Sequence, residues 1–247
     1  MLNSLRSTPK PTISGYSCIA AAGIFTLALA GLAGAADLRM PVKAPPLPIY
    51  SWTGFYIGGA VGYAWGRDTT TEYLTGTNTF TGLKWDYAPK GAVGGLFAGA
   101  NYQAGAMVVG LETDIELAGI NGGFYDIVAG GAGNTKIDWQ GSLRGRVVFA
   151  ADKALFYGTG GLAYANISHT YQNLALANFE TTSGIRTGWT AGGGVEIAMT
   201  QNFLVRAEYR YTDFGAYRYD ARVTFPGLTG QQEPRLNTVR VGAAYKF

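Results

Sequence analysis

The sequence predicts an all-β protein: an eight-stranded antiparallel transmembrane β-barrel, up-and-down in order, with long extracellular loops and short periplasmic turns. Three observations predict it. First, 37 of 247 residues are glycine, 13% are aromatic and only 14% are charged, against roughly 25% charged in an average soluble chain. Second, apolar and polar residues alternate at every position through several segments, the period of a strand with two different faces. Third, the connections between segments are long and short in turn. No segment after residue 36 approaches the roughly 20 continuous apolar residues of a membrane-spanning helix, so this chain would cross a bilayer on strands.

Residues 1–36 have the layout of a secretory signal peptide. Arg6 and Lys10 supply a basic start, Ile19 to Leu32 an apolar run, and Ala33-Gly34-Ala35-Ala36 a small-residue site that places cleavage at Ala35 or Ala36. The small residues and the proline-rich stretch that follows argue against an uncleaved anchor. Cys18, the one cysteine, lies in this leader, and Gly15 stands where a lipoprotein signal needs Leu. The exported chain would then carry no thiol, which removes disulfides, cysteine metal sites and thiol nucleophiles. Arg6 and Lys10 leave with a leader that has no acid, so the formal charge falls from +3 to about +1. That balance gives no reason to expect a nucleic-acid partner. Residues 37–50 hold four prolines and read as an extended periplasmic lead-in; residues 51–247 form the barrel domain.

Eight strands are expected at 52–65, 92–102, 107–118, 138–149, 154–168, 187–198, 203–214 and 237–247, each rich in glycine, aromatic and β-branched residues. Their connections run long, short, long, short, long, short, long. Short turns face the periplasm and long loops face outward in such barrels, which returns both ends of the domain to the periplasmic side. The first loop, 66–91, is threonine-rich from Thr69 to Thr81 and reads as mobile and exposed.

Within strands, lipid-facing and lumen-facing positions take turns. In the third segment Met107, Val109, Leu111, Ile115 and Leu117 oppose Glu112, Asp114 and Glu116. The fourth sets Ile137, Trp139, Leu143, Val147 and Phe149 against Asp138, Gln140, Ser142, Arg144 and Arg146. The seventh sets Phe203, Val205, Ala207, Tyr209 and Tyr211 against Leu204, Arg206, Glu208, Arg210 and Thr212. In the last, Val239, Val241, Ala243, Tyr245 and Phe247 oppose Thr238, Arg240 and Lys246. A soluble sheet shows the same alternation, but the aromatic positions argue for a bilayer. Trp52, Phe55, Tyr102, Phe149, Tyr157, Phe203, Tyr245 and Phe247 fall near one rim, and Tyr63, Trp65, Trp139, Trp189 and Tyr211 near the other. Two belts suit two membrane interfaces.

The inward list holds six acids, Glu112, Asp114, Glu116, Asp138, Glu196 and Glu208, and six bases, Arg144, Arg146, Arg206, Arg210, Arg240 and Lys246. An eight-stranded barrel has room for side chains and little else, so these charges are expected to pair across the lumen and close it. A narrow ion path with a charged constriction is the alternative.

No cofactor or catalytic set is legible. Gly158-Thr159-Gly160-Gly161 lacks the strand-to-helix transition of a phosphate loop. The single histidine, His169, sits beside Ser168, but successive strand residues point to opposite faces, which argues against a shared hydrolytic site. His169 is expected at an exposed loop edge, where it and Tyr171 are candidate surface ligands for haem iron.

Five stretches resemble the alphaproteobacterial small porin-like outer-membrane protein family, which contains major surface antigens. They are Trp52 to Gly59, Gly141 to Arg146, Tyr157 to Tyr164, Gly188 to Glu196, and Arg206 to Tyr211 together with the Asn237–Phe247 end. They reach from the first strand to the last. One departure follows Arg146, where the family commonly continues to Gly-Tyr and this chain has Val148-Phe149. The resemblance implies an abundant outer-membrane barrel tied to envelope integrity and host interaction, with haem binding in some members. The expected partners are outer-membrane lipid and lipopolysaccharide, the outer-membrane assembly machinery and periplasmic chaperones, and among ligands haem or host surface molecules. Outward Ala243, Tyr245 and Phe247 resemble the C-terminal signal that the assembly machinery reads.

Overall fold

A computed structural model describes residues 50–247; the expected signal peptide, its Ala35–Ala36 cleavage site and residues 37–49 of the lead-in lie outside them. Eleven strands follow in order: β1 (Gly54–Leu74), β2 (Thr79–Tyr87), β3 (Lys90–Ala104), β4 (Met107–Asp126), β5 (Gly131–Ala151), β6 (Ala154–Asn173), β7 (Asn178–Ala198), β8 (Phe203–Asp213), β9 (Tyr217–Ala221), β10 (Leu228–Gln232) and β11 (Arg235–Lys246). Eight of them form an antiparallel ring, β1-β3-β4-β5-β6-β7-β8-β11, which β11 closes by pairing with β1 from Tyr56↔Lys246 to Arg67↔Arg235. Closure leaves no edge in the ring, the condition for a sheet in hydrocarbon.

The alternation sets the bilayer zone. On β1 the outward side chains Phe55, Ile57, Val61, Tyr63 and Trp65 are exposed while Tyr56, Ala60 and Ala64 are buried. On β4 the exposed set is Met107, Val109, Leu111, Ile115 and Leu117. Both apolar runs cover about ten residues, the length of a tilted membrane strand. Beyond Trp65 and Leu117 the outward faces turn polar.

The strands do not stop there. β4 to β7 are each 20 or 21 residues long, so their outer halves continue about 30 Å of strand rise beyond the outer belt. The expected flexible loop at 66–91 is instead the paired hairpin β1–β2, and the last long loop contains β9 and β10. Above the membrane zone β1 pairs with β2 on one side and β10 on the other, and β9 pairs with β10. The wall there consists of two sheets, β4 to β7 and β2-β1-β10-β9. The switch occurs at Gly215, whose φ of 69° turns the chain off β8 so that β9 joins β10 rather than β7.

Two expectations about facing change. Trp52 and Tyr157 do not join the periplasmic belt; both point inward, Trp52 without exposed surface. On β5 a register shift between Ile137 and Trp139 marks a bulge. One extra residue inverts the alternation beyond it, so Ile137 is buried and Asp138 leaves the lumen to pair at the surface with Lys136 at 2.7 Å.

Candidate functional site

The lumen is layered, and β6 shows the layers in one unbroken inward row from Leu155 through Tyr157, Thr159, Ala163, Ala165 and Ile167 to His169 and Tyr171. At the periplasmic end lies an apolar plug. The segment before β1 folds into the mouth, where Trp52 donates from Nε1 to the Asp152 carbonyl at 3.0 Å and Tyr50 donates to the Gln201 carbonyl at 3.2 Å. Tyr56, Phe97, Val108, Val148, Leu155 and Leu204 pack around them. Lys246 ends in this plug. It donates to the Ser51 carbonyl and lies 4.7 Å from the Tyr50 ring centre, and among the described residues it has no carboxylate partner, so it stands apart from the charge network.

Above the plug, the other ten expected lumen charges meet. Glu112, Asp114 and Glu116 come from β4, Arg144 and Arg146 from β5, Glu196 from β7, Arg206, Glu208 and Arg210 from β8, and Arg240 from β11. All ten side chains are at most 3% exposed. Strand register supplies three pairs directly, Glu112↔Arg144, Glu196↔Arg206 and Glu208↔Arg240. Others cross the lumen from β8 to β4: Arg206 to Glu112 at 2.8 Å, Arg210 to Asp114 at 3.1 Å and to Glu116 at 2.7 Å. Glu112 is the hub, also accepting from Arg144 at 2.6 Å, Arg146 at 3.2 Å and the Tyr56 hydroxyl at 2.8 Å. Five carboxylates face five guanidiniums, and the interior ion pairs are extensively hydrogen-bonded, the condition under which buried charges are tolerated.

Neutral groups complete this layer. Tyr157 donates to Glu208 at 2.9 Å, Ser142 to Asp114 at 2.6 Å and Gln140 to Glu116 at 2.8 Å. Arg206 lies over the Phe97 ring at 3.7 Å and Arg146 over Tyr157 at 4.3 Å. The expected lumen set includes neither Tyr56 nor Tyr157, the latter being expected in the periplasmic aromatic belt, although both share the parity of inward neighbours on their strands.

A second apolar layer lies outside the charges. Ala64, Val93, Ala118, Ile120, Ile137, Ala163, Ala165, Ile167, Phe214 and Leu236 form one buried cluster. Beyond it, between the two extracellular sheets, is a polar aromatic chamber. Thr135 of β5 is its clasp, within 2.8 Å of Asp68 Oδ2, 2.6 Å of the Tyr87 hydroxyl and 3.1 Å of His169 Nδ1. Gln232 of β10 contacts the same His169 nitrogen and, at 3.2 Å, the Tyr87 hydroxyl. Tyr171 donates to Glu72 at 3.3 Å, and Trp85 stacks on Phe124 with ring centres 4.7 Å apart.

His169 and Tyr171 are therefore buried, not surface groups, and this corrects their expected place at a loop edge. The strand runs on past residue 168, and parity carries both side chains inward. Burial lowers the His169 pKa to about 3, which keeps the ring neutral, and pushes the Asp68 carboxyl up despite hydrogen bonds from Tyr87 and Thr135. Among the described residues no group of three or more His, Cys, Asp or Glu side chains is arranged to hold a metal ion.

A closed antiparallel ring with an outward apolar band, interface aromatics and a charged interior defines an outer-membrane β-barrel. Residues 25–247 match the outer membrane protein beta-barrel domain family, and the chain belongs to that family and is an outer-membrane protein. It is 34% identical over 213 residues to the 31 kDa outer-membrane immunogenic protein of Brucella melitensis, covering 83% of this chain and 87% of that one. The 25 kDa outer-membrane immunogenic protein of Brucella abortus is 33% identical over 239 residues, 96% of this chain and 99% of its own. The 22 kDa outer membrane protein of Rhizobium leguminosarum is 35% identical over 207 residues, 83% and 82% of the two chains. Among solved structures, the outer membrane protein OprG of Pseudomonas aeruginosa covers 79% of this chain and 96% of its own, with a TM-score of 0.53 at 14% identity, which shows a shared fold.

Proposed function

We propose that this barrel is a structural, surface-exposed element of the outer membrane that supports envelope integrity, and that its lumen is closed to solutes. The observation that carries this reading is the set of guanidinium–carboxylate contacts spanning the lumen from β8 to β4, lying between two apolar layers. A conducting path would need water through both apolar layers and separation of pairs that have almost no exposed surface, at a cost of several kcal/mol per buried ion. Planar-bilayer recordings of the refolded barrel should show no discrete conductance steps. Regular steps would replace this reading with a small-solute porin.

Catalysis is no part of this reading. The hydroxyl nearest the only histidine is that of Thr135, which is shared with Asp68 and Tyr87 inside the chamber, and Ser168 lies on the opposite face of β6. The functional partners in this reading are outer-membrane lipid and the assembly machinery, the latter through outward Ala243, Tyr245 and Phe247.

A second reading, contact with a molecule outside the cell, is favoured by the hairpin tips. Ile127, Val128, Leu176 and Phe179 are all exposed, Val128 at 99%, and the two tips adjoin through Leu174 N–H donating to the Gly130 carbonyl at 2.9 Å. Replacing residues 127–129 and 175–177 with Gly and Ser should abolish attachment of bearing cells to a host-cell surface; unchanged attachment would remove this reading.

A further inference from the structure

Outside the membrane zone the wall has a gap between two strand edges. Above Trp189, where β8 leaves it, β7 pairs with β6 alone, and β9 pairs with β10 alone. The two free edges face each other. At the lower end Arg186 lies over the Tyr217 ring at 4.0 Å. At the upper end Glu180 accepts from the Val223 N–H at 3.0 Å, and Asn178 donates to the Val223 carbonyl at 3.4 Å. These contacts set Arg186 opposite Tyr217 and Glu180 opposite Val223, an antiparallel match that side chains alone cross. The backbones stand more than 8 Å apart over most of that length, against about 4.8 Å in a paired sheet.

The backbone groups that face the gap follow from register. The Ala198 N–H bonds to the Lys153 carbonyl, and β7 then pairs with β6 without a shift as far as Asn178. Even-numbered residues of β7 therefore bond to β6, and the N–H and C=O groups of Phe179, Thr181, Ser183, Ile185 and Thr187 point into the gap. Among the described residues these groups have no hydrogen-bond partner. Neither proline nor bulge, two usual protections against pairing with another chain, interrupts this edge.

Arg186 makes the gap selective. Each arginine of the lumen has a carboxylate partner, whereas Arg186, also inward, has none among the described residues, and its Nε is buried without a hydrogen bond. A lone charge beside an open edge deters strands that bring apolar or basic side chains and favours one that brings a carboxylate. Gly184, the next inward residue, leaves space free: a Cβ there would meet nothing within 4 Å.

We propose that β7 takes up an extended acidic segment of another protein as an added strand in this gap, antiparallel to β7, with a carboxylate of that segment on Arg186. The edge N–H and C=O groups of β7 supply the ladder, and Arg186 supplies the choice of side chain. The inference rests on the outer parts of β7 and β9, and is independent of whether the lumen conducts and of the hairpin tips.

The test offers the full refolded barrel in detergent a labelled Thr/Val peptide of about nine residues, the length of the open edge, with one Glu. Two further peptides carry Gln for that Glu, or N-methyl groups on alternate amides. Fluorescence anisotropy reads affinity, and amide exchange at fixed pH reads the five edge residues. The Glu peptide should bind and slow exchange at those residues, the Gln peptide should bind about tenfold more weakly, and the N-methylated peptide should not bind. Arg186→Gln should lose the preference for Glu over Gln. Ser183→Pro, which removes an edge N–H that β6 does not use, should abolish binding of every peptide while heat-modifiable gel mobility shows both variants folded. Equal affinity of the wild type for the Glu and Gln peptides would overturn the proposal, as would binding that leaves edge exchange unchanged. So would edge amides already protected in the free protein: at all concentrations that would mean β9 closes the gap, and only at high concentration that a second copy of this chain does.

Discussion

The lumen inside the membrane and the chamber outside it share five long strands, β1 and β4 to β7, yet they stabilise themselves in opposite ways. In the lumen every buried carboxylate has a guanidinium partner, and Glu112 has three. In the chamber, Asp68 and Glu72 are buried with hydroxyl, tyrosine and amide partners and, among the described residues, no guanidinium or ammonium within ion-pairing distance. The difference follows from surroundings. A bilayer supplies no water to a broken contact, so full ionic pairing is the arrangement that tolerates no gap. The extracellular chamber borders solvent, and there neutral donors suffice to hold two sheets that no backbone ladder joins across the chamber.

The largest effect should come from unbalancing the lumen. Glu112→Gln leaves three arginines facing a neutral amide, and loss of one buried partner costs about 3–5 kcal/mol. Urea unfolding followed by gel mobility should show a fall of that size, and a change under 1 kcal/mol would mean that water already enters the charged layer.

The chamber should respond to pH where the lumen does not. His169 has a folded-state pKa of about 3 against 6.5 when open, so the closed form binds fewer protons than the open form between those values. Its contribution is intact above pH 6.5 and is lost as pH falls, about 1.4 kcal/mol per unit, or about 2–3 kcal/mol at pH 4.5. Asp68, whose pKa burial raises, acts with the opposite sign at the acid end. Amide protection factors, corrected for the intrinsic exchange rate at each pH, should fall in the outer halves of β5 and β6 from pH 6.5 to 4.5, and His169→Gln should flatten the profile. An equal fall in the variant would assign the effect elsewhere.

A smaller loss, about 1–3 kcal/mol and confined to the chamber, is expected from Thr135→Val, which strips a hydroxyl from the buried Asp68 carboxylate. Exchange in the membrane halves should be unchanged. Asp138→Ala should be nearly silent, within about 0.5 kcal/mol, because its partner Lys136 is also half in water; a loss comparable to Glu112→Gln would return Asp138 to the lumen.

The ring was legible because alternation is a local property. Once Met107 to Leu117 and Phe203 to Tyr211 point outward, Glu112, Asp114, Glu116, Arg206, Glu208 and Arg210 must point inward, and ten of the twelve expected lumen charges meet there. Asp138 escaped because a bulge depends on how β5 is matched to β6, which composition does not announce. Lys246 escaped because the segment carrying Tyr50 and Trp52 folds into the periplasmic mouth and surrounds it. His169 is misplaced for a simpler reason: an expected end of this strand at residue 168 puts it on a loop edge, whereas β6 and its inward row run on to Asn173.

By itself, then, the sequence determined a closed antiparallel barrel, its bilayer zone and the acids and bases of its interior, since facing in a strand repeats every two residues regardless of what lies beyond. Only the tertiary structure decided which of those charges touch, that the mouth is plugged by Trp52, and that the outer loops are strands enclosing a neutral chamber around His169. Those outcomes depend on register between strands far apart in the chain and on what fills the space between opposite walls, and no local pattern of residues encodes either.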